Sequence, residues 1–211
     1  MSELNEAKEP KNEKQPLYPT KVSDKAKCLP GTQENDPCQV RLVGDSTIRG
    51  QLNAFCIRDK KNRQRFCYPG AKIKTLIDSL DTFTANDTDN THYILHVGTN
   101  DISGPQRNPE LIANYKKLLL KLKEKRRDVT VSAVLPRAAE IGHFHTKAYS
   151  FNAELRLLCR DLQVSYFNAW NDFTDPNHLY SSDSLHLSIC GASRLGRLLN
   201  THMKEFFRKR T

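Results

Sequence analysis

Four side chains and a glycine in this sequence are of the types that acyl transfer requires: Ser46, Gly70, Asn100, Asp183 and His186. A serine hydroxyl is a nucleophile once a neighbouring base takes its proton, and His186 has the chemistry to be that base and to return the proton to a leaving alcohol. Asp183 lies three residues before His186, so one tight turn can fold its carboxylate onto the imidazole Nδ1–H and fix the tautomer. The backbone N–H groups of Ser46 and Gly70 and the side-chain N–H of Asn100 would form an oxyanion hole, where losing one donor typically costs about 10²–10³ in rate. Taken alone, Gly44-Asp45-Ser46 also describes an ordinary turn with a helix N-cap, and Gly70 an ordinary turn glycine. What separates the readings is where these residues fall relative to the regular elements.

Short apolar runs at 39–43, 64–68, 92–97, 129–135 and 163–168 read as strands. Segments of helical period lie at 47–56, 71–83, 108–126, 145–161 and 189–208. The third of these puts Leu111, Ile112, Tyr115, Leu118, Leu119 and Leu122 on one face, and the last does so with Leu195, Leu198, Leu199, Met203 and Phe206. Strands alternating with helices predict an α/β fold with about five parallel strands covered on both sides and joined by right-handed crossovers. Ligands of such sheets bind beyond the carboxyl ends of the strands. Gly44-Asp45-Ser46, Pro69-Gly70-Ala71, Gly98-Thr99-Asn100-Asp101 and Pro136-Arg137 each follow a predicted strand, and Asp183-Ser184-Leu185-His186 follows the fifth after a longer connection. Asp45 and Asp101 are expected to bond loop amides rather than to do chemistry.

The chain has 211 residues and a net charge of +9. Residues 1–37 hold six Lys and seven Asp/Glu, net −1, which leaves +10 on 38–211. The first segment has the composition of a disordered polar tail or linker, and 38–211 that of one folded domain. A basic domain is compatible with an RNA or anionic-membrane partner. Lys116, Lys117, Lys121, Lys123, Lys125, Arg126 and Arg127 crowd one helix, but no aromatic stacking motif is interleaved and a solvated face explains them as well. The six cysteines, Cys28, Cys38, Cys56, Cys67, Cys159 and Cys190, are dispersed without zinc spacing. Cys56, Cys67 and Cys159 read as small core residues, and Cys28 could pair with Cys38. No signal peptide and no run of about 18 apolar residues is evident, so a cytoplasmic protein with reduced thiols is expected. Arg137, His143 and His145 fall in a segment, 137–146, that is expected to wall the substrate pocket. The His143/His145 pair would suit a metal, but no third ligand accompanies it, so neither metal nor cofactor is expected. His92 and His96 read as packing residues, and His178 and His202 as surface residues. Trp170, Phe173 and Tyr180 are expected to pack the connection ahead of Asp183 against the sheet.

The blocks Gly44-Asp45-Ser46, Gly70, Gly98-Thr99-Asn100-Asp101 and Asp183-Ser184-Leu185-His186 resemble, in order, the four blocks of the SGNH (GDSL-type) hydrolases. The resemblance spans about 38–208. It implies a three-layer α/β/α, flavodoxin-like fold and metal-free esterase or lipase-like activity on a small acyl ester or lipid. More narrowly, the runs Val43-Gly44-Asp45-Ser46-Thr47-Ile48-Arg49, Tyr68-Pro69-Gly70-Ala71 and His96-Val97-Gly98-Thr99-Asn100-Asp101-Ile102 resemble esterase domains in the first-open-reading-frame proteins of vertebrate LINE retrotransposons. That resemblance implies an RNA-associated protein, with self-association through upstream regions.

Overall fold

The computed structural model describes residues 37–138, 142–174 and 178–209. The expected tail, apart from its last residue, and Cys28 with its proposed pairing lie outside the described residues. Five strands, β1 (Gln39–Gly44), β2 (Arg63–Cys67), β3 (Thr91–His96), β4 (Asp128–Ser132) and β5 (Ser165–Phe167), form one sheet in the order β2-β1-β3-β4-β5. Every neighbouring pair is parallel. The helices are α1 (Gln51–Ala54), α2 (Ile73–Asp78), α3 (Leu80–Thr84), α4 (Thr99–Ile102), α5 (Asn108–Glu124), α6 (His143–Asp161) and α7 (Ile189–Arg208).

Strand side chains alternate between two cores, as the pleat requires. Val43, Tyr93, Leu95 and Val131 face α2, α3, α5 and α6, where Leu76, Leu118, Phe151 and Leu155 are buried with them. Val40, Leu42 and Ile94 face the other way, onto Leu195, Leu199 and Met203 of α7. The predicted apolar faces of α5 and α7 supply these layers: Leu111, Tyr115, Leu118, Leu119 and Leu122 are buried in the first. Cys56 and Cys159 are buried as expected, and Cys67 is half-buried. His92 and His96 are 1% and 2% exposed and bond Thr130 Oγ1 at 2.9 Å and Ser132 Oγ at 2.8 Å, so the strand histidines are packing residues. His202 departs from the surface reading: it is half-buried, 3.2 Å from Ser165 Oγ.

Several element boundaries differ from the sequence pattern for physical reasons. The segment 47–56 is not one helix, because it presses against α7. A Cβ on Gly50 would lie 2.5 Å from the Ala192 Cβ, and Gln51 Nε2 donates to Ala192 O at 3.0 Å. The segment 71–83 breaks at Ser79, whose φ −95° and ψ 7° leave helical geometry. The fourth strand stops at Ser132 instead of 135. Beyond it the Asn152 side chain replaces the ladder, accepting from Val134 N at 3.0 Å and donating to Val134 O at 2.9 Å. No helix among the described residues is long and apolar enough to cross a membrane.

Candidate active site

The carboxyl ends of β1 and β3 carry the site. Gly44 runs so close to β3 that a Cβ would sit 2.0 Å from His96 O, which leaves glycine as the residue that fits. The chain then turns sharply, and Asp45 Oδ1 caps a 3₁₀ turn over Ser46–Ile48 by accepting from Thr47 N at 2.9 Å. Ser46 thus opens a turn at the sheet edge, with its hydroxyl partly exposed. After β2, Tyr68 N–H continues to Gly44 O at 2.8 Å and Ala71 N–H closes a turn on Tyr68 O at 3.0 Å. Gly70 lies in that turn at φ +73°, the left-handed region that favours glycine. After β3, Gly98 at φ +131° admits the close approach of Val134 and Phe151 and starts α4. Asn100 Nδ2 donates to Ala71 O at 2.9 Å, and Asp101 accepts from Ile73 N at 3.0 Å.

The fourth block arrives on a loop pinned at its base. Ser188 N–H bonds Leu179 O at 2.9 Å, Ser181 N–H bonds His186 O at 2.8 Å, and Tyr180 pairs with Leu187 in an antiparallel bridge. Tyr180 O–H donates to Pro136 O, and Ala138 N–H to Ser184 O at 3.1 Å, so the segment after β4 braces the loop. Phe173 and Tyr180 are buried as the sequence suggested. At the tip, Asp183 Oδ1 accepts from Leu185 N at 3.0 Å and His186 N at 2.9 Å. Ser184 takes φ +57° to close this turn. Asp183 Oδ2 lies 2.6 Å from His186 Nδ1, and His186 Nε2 lies 3.0 Å from Ser46 Oγ. With Nδ1–H given to the carboxylate, Nε2 is left to accept the Ser46 hydroxyl proton. The bonds from the His186 side chain and from the His186 and Leu185 amides hold the Asp183 carboxyl well below the ordinary carboxylate value.

Of the pocket residues expected from sequence, Arg137 is half-buried. Its guanidinium lies 4.0 Å over the Phe144 ring and donates to Ser103 Oγ at 2.6 Å, spanning the loops after β3 and β4. His143 and His145 stand on the first turn of α6 rather than in a loop. His145 Nε2 lies 3.1 Å from Arg137 N and 2.8 Å from Arg137 O, so its ring fastens the Arg137 backbone. His143 is exposed. The Ser103–Arg137 and Asn100–Ala71 links join residues far apart in sequence, and no local pattern announces them.

Gly191 provides a test of the loop's role. A Cβ there would lie 2.0 Å from Leu179 O, a backbone atom at the base of the loop carrying His186. Gly191→Val is expected to lower kcat/KM for ester hydrolysis about 10²-fold through displacement of the imidazole by an ångström or so. Kinetics at a temperature where circular dichroism shows the variant folded would check this, and wild-type kinetics would contradict it.

The model of the GDSL-like lipase/acylhydrolase family matches residues 42–193, a stretch that contains every residue of this edge. The chain belongs to that family and is a carboxylic ester hydrolase. It is similar in fold to a GDSL-like lipase from Bacteroides thetaiotaomicron, at 16% identity over 79% of this chain and 88% of that one, with a TM-score of 0.67. It is also similar in fold to an acetyl xylan esterase, at 14% identity over 78% and 98%, with a TM-score of 0.64. The esterase domain of the ORF1 protein from the zebrafish ZfL2-1 retrotransposon matches at 26% identity over 79% and 99%, with a TM-score of 0.44. No curated protein matches the chain.

Proposed function

We propose that this protein is a serine esterase that removes short acyl groups, acetyl first among them, through a covalent acyl-enzyme on Ser46. The observation that carries the reading is the alignment of Asp183 Oδ2, His186 Nδ1 and Nε2, and Ser46 Oγ at 2.6 and 3.0 Å. His186 takes the Ser46 proton as Oγ attacks the ester carbonyl, and Asp183 stabilises the imidazolium that forms. The oxyanion is received by Ser46 N–H, Gly70 N–H and the Asn100 Nδ2 hydrogen not given to Ala71 O. Collapse breaks the ester bond, and His186 hands its proton to the departing alcohol. Water, activated by the same imidazole, then releases the acid. These steps call on no metal or cofactor.

The preference for a short acyl group rests on the polar surroundings of Ser46. The Asp183–His186 turn borders it, and the same sheet edge carries the polar Asn100 and the Ser103–Arg137 bond. Acetyl is also the group for which the structurally similar acetyl xylan esterase is named. Turnover of p-nitrophenyl acetate, butyrate and octanoate, wild type beside Ser46→Ala, is expected to be Ser46-dependent and to fall at least about tenfold from acetate to octanoate. Fastest turnover of octanoate would replace this reading with a lipase.

The sequence resemblance to retrotransposon esterase domains supports a wider reading, in which the esterase works in the cytoplasm as part of a larger RNA-associated protein. Docking on RNA or an anionic membrane would draw on the exposed Lys116 and Lys117 of α5. Lys123 is bonded to Leu162 O at 2.7 Å and Lys125 is paired with Asp81 at 3.2 Å, so part of that basic cluster is engaged within the fold. Catalysis is accordingly the better-supported role.

A further inference from the structure

We propose that Asp101 is a positioning residue of the oxyanion hole, acting through Ile73 N–H to keep the Gly70 amide in register with Asn100. The inference rests on the esterase reading and extends it to a residue that touches no substrate.

Gly70 cannot fix its own amide. It is exposed at φ +73°, and no atom lies within 4 Å of where a Cβ would be. Its orientation comes from the turn that Ala71 N–H closes on Tyr68 O and from the residues that follow, which are held at two points by consecutive side chains of α4. Asn100 Nδ2 binds Ala71 O at 2.9 Å, and the Asp101 carboxylate accepts Ile73 N–H at 3.0 Å through Oδ2 and 3.3 Å through Oδ1. The pair of bonds is a clip: one side fixes the Asn100 amide, the other prevents residues 71–73 from rotating and carrying Gly70 N–H away. An oxyanion hole depends on donors being in place before charge develops, so this rigidity belongs to the rate rather than to binding.

The setting of Asp101 makes the clip sensitive to pH. Asp101 is 3% exposed, in the company of Asp45 at 1% and Tyr115 at 0%. Asp45 Oδ2 and Tyr115 Oη are buried without a hydrogen-bond partner among the described residues. Burial raises the Asp101 pKa, opposed by the Ile73 N–H, by Lys72 at the start of α2 and by its own amide, while Asp45 beyond β1 raises it further. The Tyr115 phenol on α5 is pushed well up, and the Cys159 thiol on α6 is pushed up to about 12, so both remain neutral. Burial dominates, and Asp101 is pushed up to about 6. Above that value the ionised carboxylate makes a charge-assisted bond to Ile73 N–H, and below it the protonated acid makes a weaker one.

The test uses the whole chain, labelled with ¹⁵N and titrated from about pH 5 to about pH 8, beside kinetics on p-nitrophenyl acetate. In the wild type the Ile73 and Gly70 amide resonances are expected to move together with a midpoint of about 6, and in Asp101→Asn neither should move. Asp101→Ala is expected to lose about tenfold or more in kcat with KM unchanged. Asp101→Asn, whose carbonyl still accepts Ile73 N–H, should recover most of that loss, which also covers the case of an alanine variant that does not fold. A Gly70 resonance indifferent to Asp101, or a loss in Asp101→Ala that appears in KM alone, overturns the proposal. Failure of the esterase reading looks different: no Ser46-dependent turnover, with the two amides still titrating together.

Discussion

Ester turnover by Ser46→Ala is expected to fall about 10⁴-fold or more below wild type, and His186→Ala to fall as far. The reason is the 3.0 Å contact between His186 Nε2 and Ser46 Oγ: without the base the hydroxyl keeps its proton, and without the hydroxyl there is no acyl-enzyme. Because the two act as one unit, the double variant is expected to be no slower than either single one. Asp183→Asn is expected to lose less than either. Its carbonyl can still accept the Leu185 and His186 amides and keep the turn closed, but an amide stabilises the imidazolium poorly. The sign of the acid dependence follows from the depressed Asp183 pKa. The carboxylate's contribution to the turn is full above the ordinary value of 3.8 and is lost as pH falls through the depressed one. Steady-state kinetics of the four variants beside wild type on one activated ester is the check. Activity in Ser46→Ala within about tenfold of wild type would remove Ser46 from the mechanism.

The second large effect is on stability and arises at the opposite edge of the sheet. Asp87, whose side chain is 2% exposed, accepts from Arg127 Nε at 3.0 Å and from Tyr93 O–H at 2.6 Å, and faces Arg41 at 4.0 Å. Arg41 is itself buried, and its Nη2 donates to Gln39 Oε1 and Asn86 O. The four side chains come from β1, from the turn before β3, from β3 and from the turn before β4, so they lock the amino-terminal ends of the central strands. Asp87→Ala removes the acceptor of the Arg127 guanidinium, leaves the Tyr93 phenol with only Phe83 O at 3.3 Å, and takes away the charge that faces the buried Arg41. It is expected to cost about 3–5 kcal/mol, which lowers Tm by about 10 °C in a domain of this size. The effect on kcat well below the transition should be small, because the proposed catalytic residues lie at the carboxyl ends. Thermal and urea unfolding followed by circular dichroism, with kinetics on the same samples, would check both halves. A Tm within about a degree of wild type would mean that the cluster is solvated.

The edge that carries the proposed catalytic residues was legible in the sequence because its signals are local. Gly44-Asp45-Ser46 and Gly98-Thr99-Asn100-Asp101 are written directly after apolar strands. Asp183 and His186 are close enough that one turn joins them, and the turn is present, with Ser184 at φ +57° closing it. The amphipathic faces of α5 and α7 were legible for the same reason. What sequence did not reveal depends on residues far apart. Helix 47–56 fails as a unit because Gly50 meets Ala192. Strand β4 ends early because the Asn152 side chain takes over its hydrogen bonds. The tie between the His145 ring and the Arg137 backbone is likewise unannounced. The Asp87 cluster draws on positions 41, 87, 93 and 127, which no period or motif connects.

The central claim is that Ser46 Oγ becomes acylated. The most direct measurement is rapid quenching of the protein with excess p-nitrophenyl acetate, followed by intact mass and peptide mapping. One acetyl group on the peptide containing Ser46, absent in Ser46→Ala and discharged on standing, is the predicted result. Steady turnover with no acylated species trapped, or an acetyl group mapped to another residue with Ser46→Ala still active, would contradict the account.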